Sequence, residues 1–125
     1  MFRDTKAFSG FSVNNLQQAK DFYQQKLGLD VETEGEYMLR LKIAGSNNIL
    51  VYLKPDHTPA SFTVLNFPVS NVEETVDKLT AAGVHFLQYD GAIKTDAKGI
   101  HRGDGDPTVA WFADPAGNIF SVVSQ

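Results

Sequence analysis

The chain carries one plan twice. Phe11-Ser12-Val13-Asn14-Asn15-Leu16 is answered by Phe67-Pro68-Val69-Ser70-Asn71-Val72, an offset of 67 − 11 = 56 residues. Each copy reads as a short apolar strand that runs into polar capping residues and opens a helix. Asp21 falls on Asp77, and each helix stops at a glycine, Gly28 or Gly83. An internal duplication constrains architecture before any local propensity does. It predicts two similar modules, 1–58 and 59–125, within one domain spanning 1–125, built around a shared site.

Local patterns fill in the modules. Phe8 to Val13 alternates with the period of a strand, with Ser9, Phe11 and Val13 on one side and Phe8, Gly10 and Ser12 on the other. Asn14 or Asn15 then caps a helix whose Leu16, Ala19, Phe22, Tyr23 and Leu27 recur at three- and four-residue spacing. Strand-like runs follow at Leu29 to Thr33, Tyr37 to Ile43 and Asn48 to Leu53, broken by Glu34-Gly35 and Gly45-Ser46-Asn47. Lys54 to Pro59 reads as the linker.

The second module starts with a strand over Ser61 to Val69. Ser70-Asn71-Val72-Glu73 has the pattern of a capping box. Val72, Val76 and Leu79 give the buried face of the next helix. Val84 to Tyr89 reads as a strand and Gly91 to Pro107 as a long polar loop. Val109 to Ala113 and Ile119 to Val123 form a hairpin around Asp114-Pro115-Ala116-Gly117-Asn118. The expectation is an α+β fold: two βαβββ modules forming an open, cup-like eight-stranded barrel with the helices outside. The inner wall of such a cup is the place for a small ligand. Strand alternation puts Phe8, Gly10, Ser12, Val64, Asn66 and Pro68 on that wall.

Composition excludes several classes. Lys and Arg total 11 against 15 Asp and Glu, a net charge of −4 with no basic cluster, so nucleic acid is not an expected partner, and no membrane partner is expected either. No cysteine is present, which removes disulfides, thiolate zinc sites and cysteine nucleophiles. Met1 to Lys6 lacks the charged-then-apolar pattern of a secretory signal, and no apolar run approaches membrane-spanning length. A cytoplasmic protein is expected.

Two stretches carry a resemblance: Val13-Asn14-Asn15-Leu16 through Phe22-Tyr23 to Leu27-Gly28-Leu29, and Ala110-Trp111-Phe112-Ala113-Asp114-Pro115-Ala116-Gly117-Asn118. With the paired modules, they make the chain similar to the vicinal oxygen chelate superfamily of glyoxalase I, extradiol dioxygenases, fosfomycin-resistance enzymes and bleomycin-binding proteins. The resemblance implies a divalent metal held by His and Glu from four strands of the inner wall. Those positions here are Phe8, Val64, Val51 or Tyr52 according to register, and Ser121. Phe and Val cannot coordinate a cation and a lone Ser hydroxyl is a weak ligand, so no metal and no other cofactor is expected.

The reading that follows is a metal-free small-molecule binding protein, with Phe8, Tyr52, Val64 and Trp111 giving apolar contact and Ser12, Asn66 and Ser121 orienting a ligand. The alternative is a lyase- or dioxygenase-like enzyme with a displaced metal site, or metal-free proton transfer; Arg40, Asp96, His101 and Asp104 are its candidates. His101 with Asp104 and Asp106 in a glycine-rich loop is the one place where an imidazole and carboxylates cluster in sequence. His57 and His85 read as surface residues, and no nucleophile-and-base pair is legible. Residues 94–106 are expected over the cup mouth as a lid or in contacts of a homodimer, a common state among proteins of this superfamily.

Overall fold

Asn15 and Asn71 open the two helices in the same way. Each has an extended backbone, and each side-chain oxygen accepts from the amide three residues on, Gln18 N at 3.0 Å and Glu74 N at 2.9 Å. Such a cap satisfies one of the amides that a helix N-terminus leaves without an internal partner. A computed structural model of the chain describes residues 1–103, 105 and 107–125. It divides into two compact units, Met1–Thr58 and Pro59–Gln125, each built from its own sheet and helix. The fold is α+β.

In module one, β1 (Gly10–Val13) leads to α1 (Leu16–Asp21), which continues as a π-helical turn over Phe22–Lys26. The wider turn is closed by Leu27 N donating to Phe22 O at 3.2 Å, and it accompanies two successive buried rings, Phe22 and Tyr23. The single helix expected to Leu27 therefore changes pitch part-way. Gly28 then takes φ 67°, the left-handed conformation that ends a helix without a Cβ clash. Strands β2 (Asp30–Glu34), β3 (Met38–Lys42) and β4 (Ile49–Leu53) complete a sheet of order β1-β4-β3-β2, with β1 and β4 parallel. Val13, Leu39, Leu41, Ile49 and Val51 are buried on one face, and Phe11 meets Tyr23 edge to face at 6.5 Å. Ser12 and Tyr52, register partners, lie on the opposite and more open face.

Module two repeats the order: β5 (Thr63–Val69), α2 (Val72–Ala81), β6 (Ile100–His101), β7 (Val109–Ala113) and β8 (Ile119–Ser124), arranged β5-β8-β7-β6. Val72 and Val76 of α2 pack on Ile100 and Ala110, with Val69 and Phe86 at the margin. Phe112 and Phe120 meet edge to face at 5.5 Å beneath them.

Three expectations change. The cap is Asn71 rather than Ser70, because the helix begins at Val72; Glu73, instead of reaching back, pairs with Arg102 at 2.7 Å. The strand expected at Val84 to Tyr89 is reduced to one bridge, Phe86 to Phe112, with Leu87 N donating to Trp111 O at 2.8 Å. The polar loop from Gly91 instead supplies the edge strand β6, whose Ile100 is 1 % exposed. A single β-branched residue among Gly, Lys, Asp and Arg did not announce a strand, but it is the one that the core can use.

The edge of the second sheet is thus one strand interrupted by an excursion. Leu87 bonds to Trp111 and Ile100 pairs with Ala110, so residues 88–99 leave the ladder between adjacent positions of β7. The excursion is folded on itself: Thr95 N donates to Tyr89 O at 3.0 Å, Gly91 N to Ile93 O at 3.1 Å, and the Gln88 amide to Ala97 O at 2.9 Å. Where its ends meet, Gly99 takes φ 87°, and a Cβ there would lie 2.8 Å from Phe86 Cβ. Only glycine suits both demands. Module one has no counterpart, and with the longer β6–β7 connection this puts β7 109 − 38 = 71 residues after β3 while the strand-to-helix units stay 56 apart.

Candidate functional site: an aromatic cleft on module two

Where β5, β7 and β8 come together, the helix-free face of the second sheet carries Trp111 and Ile119. Ile119 pairs with Thr63 and with Ala113, and Trp111 pairs with Ser121, so their side chains share a face. The excursion brings Tyr89 and Ile93 over the same place. The result is a cleft of about 250 Å³ lined by Ser61, Phe62, Thr63, Tyr89, Ile93, Trp111 and Ile119. Tyr89 meets Trp111 with ring centroids 5.5 Å apart and planes at 88°. Phe62 is 67 % exposed, Ile93 44 % and Tyr89 38 %, which makes an apolar rim facing solvent. Among the described residues its lining holds no Asp, Glu, Lys, Arg or His. Two other hollows border α2: one of about 480 Å³ lined mainly by its ion-paired side chains, and one of about 300 Å³ between its C-terminal half and residues 84–98, where Asp77 pairs with Lys98.

The excursion is fastened to α2 by charge. Arg102 pairs with Glu73 at 2.7 Å and with Asp96, and Lys98 reaches Asp77 at 3.0 Å and Glu73 at 3.7 Å. Asp96 also accepts from the amides of Lys98 and Ile100, both at 2.9 Å. Burial pushes its carboxyl up, but the Ile100 amide, the Arg102 guanidinium and the Lys98 amide outweigh this and hold it below the ordinary carboxylate range. Lys98 is raised, first by its hydrogen bond to Asp77. Asp96 was a candidate for catalysis; its contacts are those of a fastening, as are those of Arg102, a residue that sequence reasoning did not single out.

Of the seven residues expected to bind a ligand, four lie in module two. Trp111 lines the cleft. Ser121, 1 % exposed, donates to Asn66 Oδ1 at 2.5 Å across the parallel β5–β8 pair, so these two hydroxyl and amide groups satisfy each other beside Trp111. Val64 falls at the irregularity between Thr63 and Leu65, where the strand's alternation slips. His101 sits in β6 with its ring centroid 6.4 Å from Trp111 and its Nδ1 2.8 Å from Lys94 O. Asp104 and Asp106, its expected companions, lie outside the described residues.

The other three are in module one. Tyr52 shares the face of Ser12 while Val51 is fully buried on the opposite face, which decides the register left open between them. The Ser12 hydroxyl and His57 Nδ1 share a hydrogen bond of 2.6 Å, so His57 is half-buried rather than a surface residue. This pairing spans 45 residues and exists only because β1 lies parallel to β4, so no sequence signal marks it. Phe8 precedes β1 and is 56 % exposed, with the Arg40 guanidinium 5.2 Å from its ring centroid and Glu34 2.6 Å from Arg40 Nε.

The metal that the resemblance implies does not fit these side chains. At the four positions stand a phenyl ring already against a guanidinium, a valine, a tyrosine and a serine whose hydroxyl is donated to Asn66. None is an imidazole or carboxylate. Among the described residues no group of three or more His, Cys, Asp or Glu is placed to hold a metal ion.

The sequence profile of the Glyoxalase/Bleomycin resistance protein/Dioxygenase superfamily matches residues 8–122. Among solved structures, the fosfomycin resistance protein FosX from Listeria monocytogenes is similar with a TM-score of 0.71 at 16 % identity, over 95 % of this chain and 91 % of that one. TnmS3, an antibiotic binding protein from a Streptomyces species, is similar with a TM-score of 0.67 at 22 % identity over 97 % of each chain. Lactoylglutathione lyase from Agrobacterium tumefaciens gives 0.69 at 16 % identity, over 98 % of this chain and 95 % of that one. A search among curated proteins finds no match. At these identities the structures speak for the fold, and the profile, spanning nearly the whole sequence, for the family: the chain belongs to the Glyoxalase/Bleomycin resistance protein/Dioxygenase superfamily.

Proposed function

We propose that this protein binds a small organic molecule without a metal, and that the cleft around Trp111 is where it does so. One observation carries the reading: Phe62, Tyr89 and Ile93 hold large apolar surface in solvent around a formed hollow, and exposed apolar surface gathered at a concavity is characteristic of binding sites. The donor set at the family's metal positions supports the metal-free part. An antibiotic binding protein on the same fold shows that the scaffold serves for binding as well as for catalysis. Asn66 and Ser121 stiffen the floor beside Trp111, and Val64 is included as a neighbour of Thr63 on the same strand. The proposal includes a cytoplasmic homodimer with no nucleic-acid or membrane partner; the net charge of −4 speaks against a nucleic-acid partner, and among the described residues no helix is long and apolar enough to cross a membrane.

Thermal unfolding tests this reading. With Mn, Ni, Zn or Fe added, against a chelator-treated control, the midpoint stays unchanged; with a library of small organic compounds, some members raise it, as any ligand of the folded state must. A metal that raises the midpoint stoichiometrically, with no organic compound doing so, overturns the proposal.

The Ser12–His57 contact favours a second reading, metal-free isomerisation. His57, acting through the Ser12 hydroxyl or directly, would take a proton from carbon α to a carbonyl and return it to the neighbouring carbon. Its signature is solvent deuterium incorporated into an α-hydroxyketone by the wild type and not by H57A; equal incorporation in both rejects it.

A further inference from the structure

Resting on the proposed binding function, we infer the chemical class of the ligand: a neutral, fused two-ring aromatic molecule with one hydrogen-bonding edge. Three features of the cleft select it. The first is shape. Tyr89 and Trp111 stand at 88° with centroids 5.5 Å apart, forming two walls of a corner. A flat guest stacked on one ring presents its edge to the other, the two arrangements aromatic rings favour. A branched aliphatic guest gains from neither.

Size is the second. The cleft's 250 Å³ exceeds the roughly 150 Å³ of an apolar cavity that takes benzene, and falls just below the range of about 300–1,000 Å³ that holds drug-sized ligands. One ring would leave part of the apolar wall wet, while a ligand of three or more fused rings would exceed the volume and leave apolar surface in solvent. Two rings fit.

Charge is the third. Ile93, Ile119 and Phe62 close the sides with hydrocarbon, and the polar groups among the described lining residues are uncharged: the hydroxyls of Ser61 and Thr63 on the approach to β5 and the start of the strand, the Tyr89 hydroxyl and the Trp111 indole N–H. A hydroxyl can orient a ligand's phenol, carbonyl or ring nitrogen. It cannot repay the desolvation of a sulfonate, carboxylate or phosphate, and no cation stands among the described lining residues to do so. A neutral guest is therefore favoured over a nucleotide or an anionic conjugate.

The test uses the full chain and four probes: 2-naphthol, phenol, 2-naphthalenesulfonate and cyclohexanol. Calorimetry gives each dissociation constant, and the indole N–H resonance of the chain's single tryptophan reports whether the probe reaches the cleft. The expected result is that 2-naphthol moves the indole resonance and binds at least about tenfold tighter than the other three. Phenol, the sulfonate or cyclohexanol binding as tightly while moving that resonance overturns the ligand class and leaves small-molecule binding standing. No probe moving it at any concentration overturns the ligand class, while small-molecule binding itself stands or falls by the compound library. I93K, at a 44 % exposed position, supplies a cation without touching the core and should reverse the preference between 2-naphthol and its sulfonate analogue. An unchanged order contradicts the charge argument.

Discussion

Tyr89 and Trp111 meet edge to face across the interrupted edge of the second sheet, 5.5 Å between ring centroids. One ring belongs to the sheet and the other to a twelve-residue excursion, 88–99, that module one lacks, so this contact is where the duplicated scaffold becomes specific. Y89A removes one wall of the cleft. Loss of the aromatic pair should cost about 1 kcal/mol of stability, read as a lower urea midpoint at unchanged slope, and ligand binding should weaken at least tenfold. Y89F should keep both.

The twin caps give a sharper check on the duplication. N71A should destabilise by about 1 kcal/mol, whereas S70A, one residue outside the helix, should stay within about 0.5 kcal/mol of wild type. Equal effects in urea unfolding would restore Ser70 as the cap.

Much of this was legible because it repeats. Phe11 over Phe67 and Gly28 over Gly83 placed both helices and their opening strands, and strand period placed Ser12 opposite Val13; the choice between Val51 and Tyr52 stayed open until the pairing of β1 with β4 made it. What could not be read lies where the copies diverge. Ile100 joins the core through a pairing with Ala110, which local polarity conceals; Tyr89 and Ile93 reach Trp111 only through the fold of the excursion. Ser12 and His57 meet through a parallel strand pair, and parallel pairing leaves no short-range mark. Trp111 alone among the cleft residues was singled out, on its aromatic size.

Asp96 fastens the excursion in a pH-dependent way. Its folded carboxyl lies below the ordinary value of 3.8, so its contribution is complete above that value and is lost as pH falls through the lowered one. D96N should be less stable than wild type by about 1 kcal/mol at neutral pH, an amount kept small by the site's exposure, and the gap should close between about pH 5 and about pH 2. Urea midpoints of the two proteins along that range decide it; a constant gap contradicts the assignment.

Gly99 closes the excursion at φ 87° with no room for a methyl group beside Phe86. G99A should destabilise by more than about 1 kcal/mol and loosen the cleft, seen as faster amide exchange at Leu87 and Ile100. G105A, also at a positive φ but with open space around its Cβ, should cost less.

The most direct measurement is a map of amide and side-chain resonance shifts on titrating a fragment library into the protein labelled with nitrogen-15 and carbon-13. The account predicts saturable shifts centred on Thr63, Tyr89, Ile93, Trp111 and Ile119, with α2 residues Asp77 and Lys78 unmoved. Shifts centred on the Ser12–His57 face, or none at Trp111 with any fragment, would contradict it.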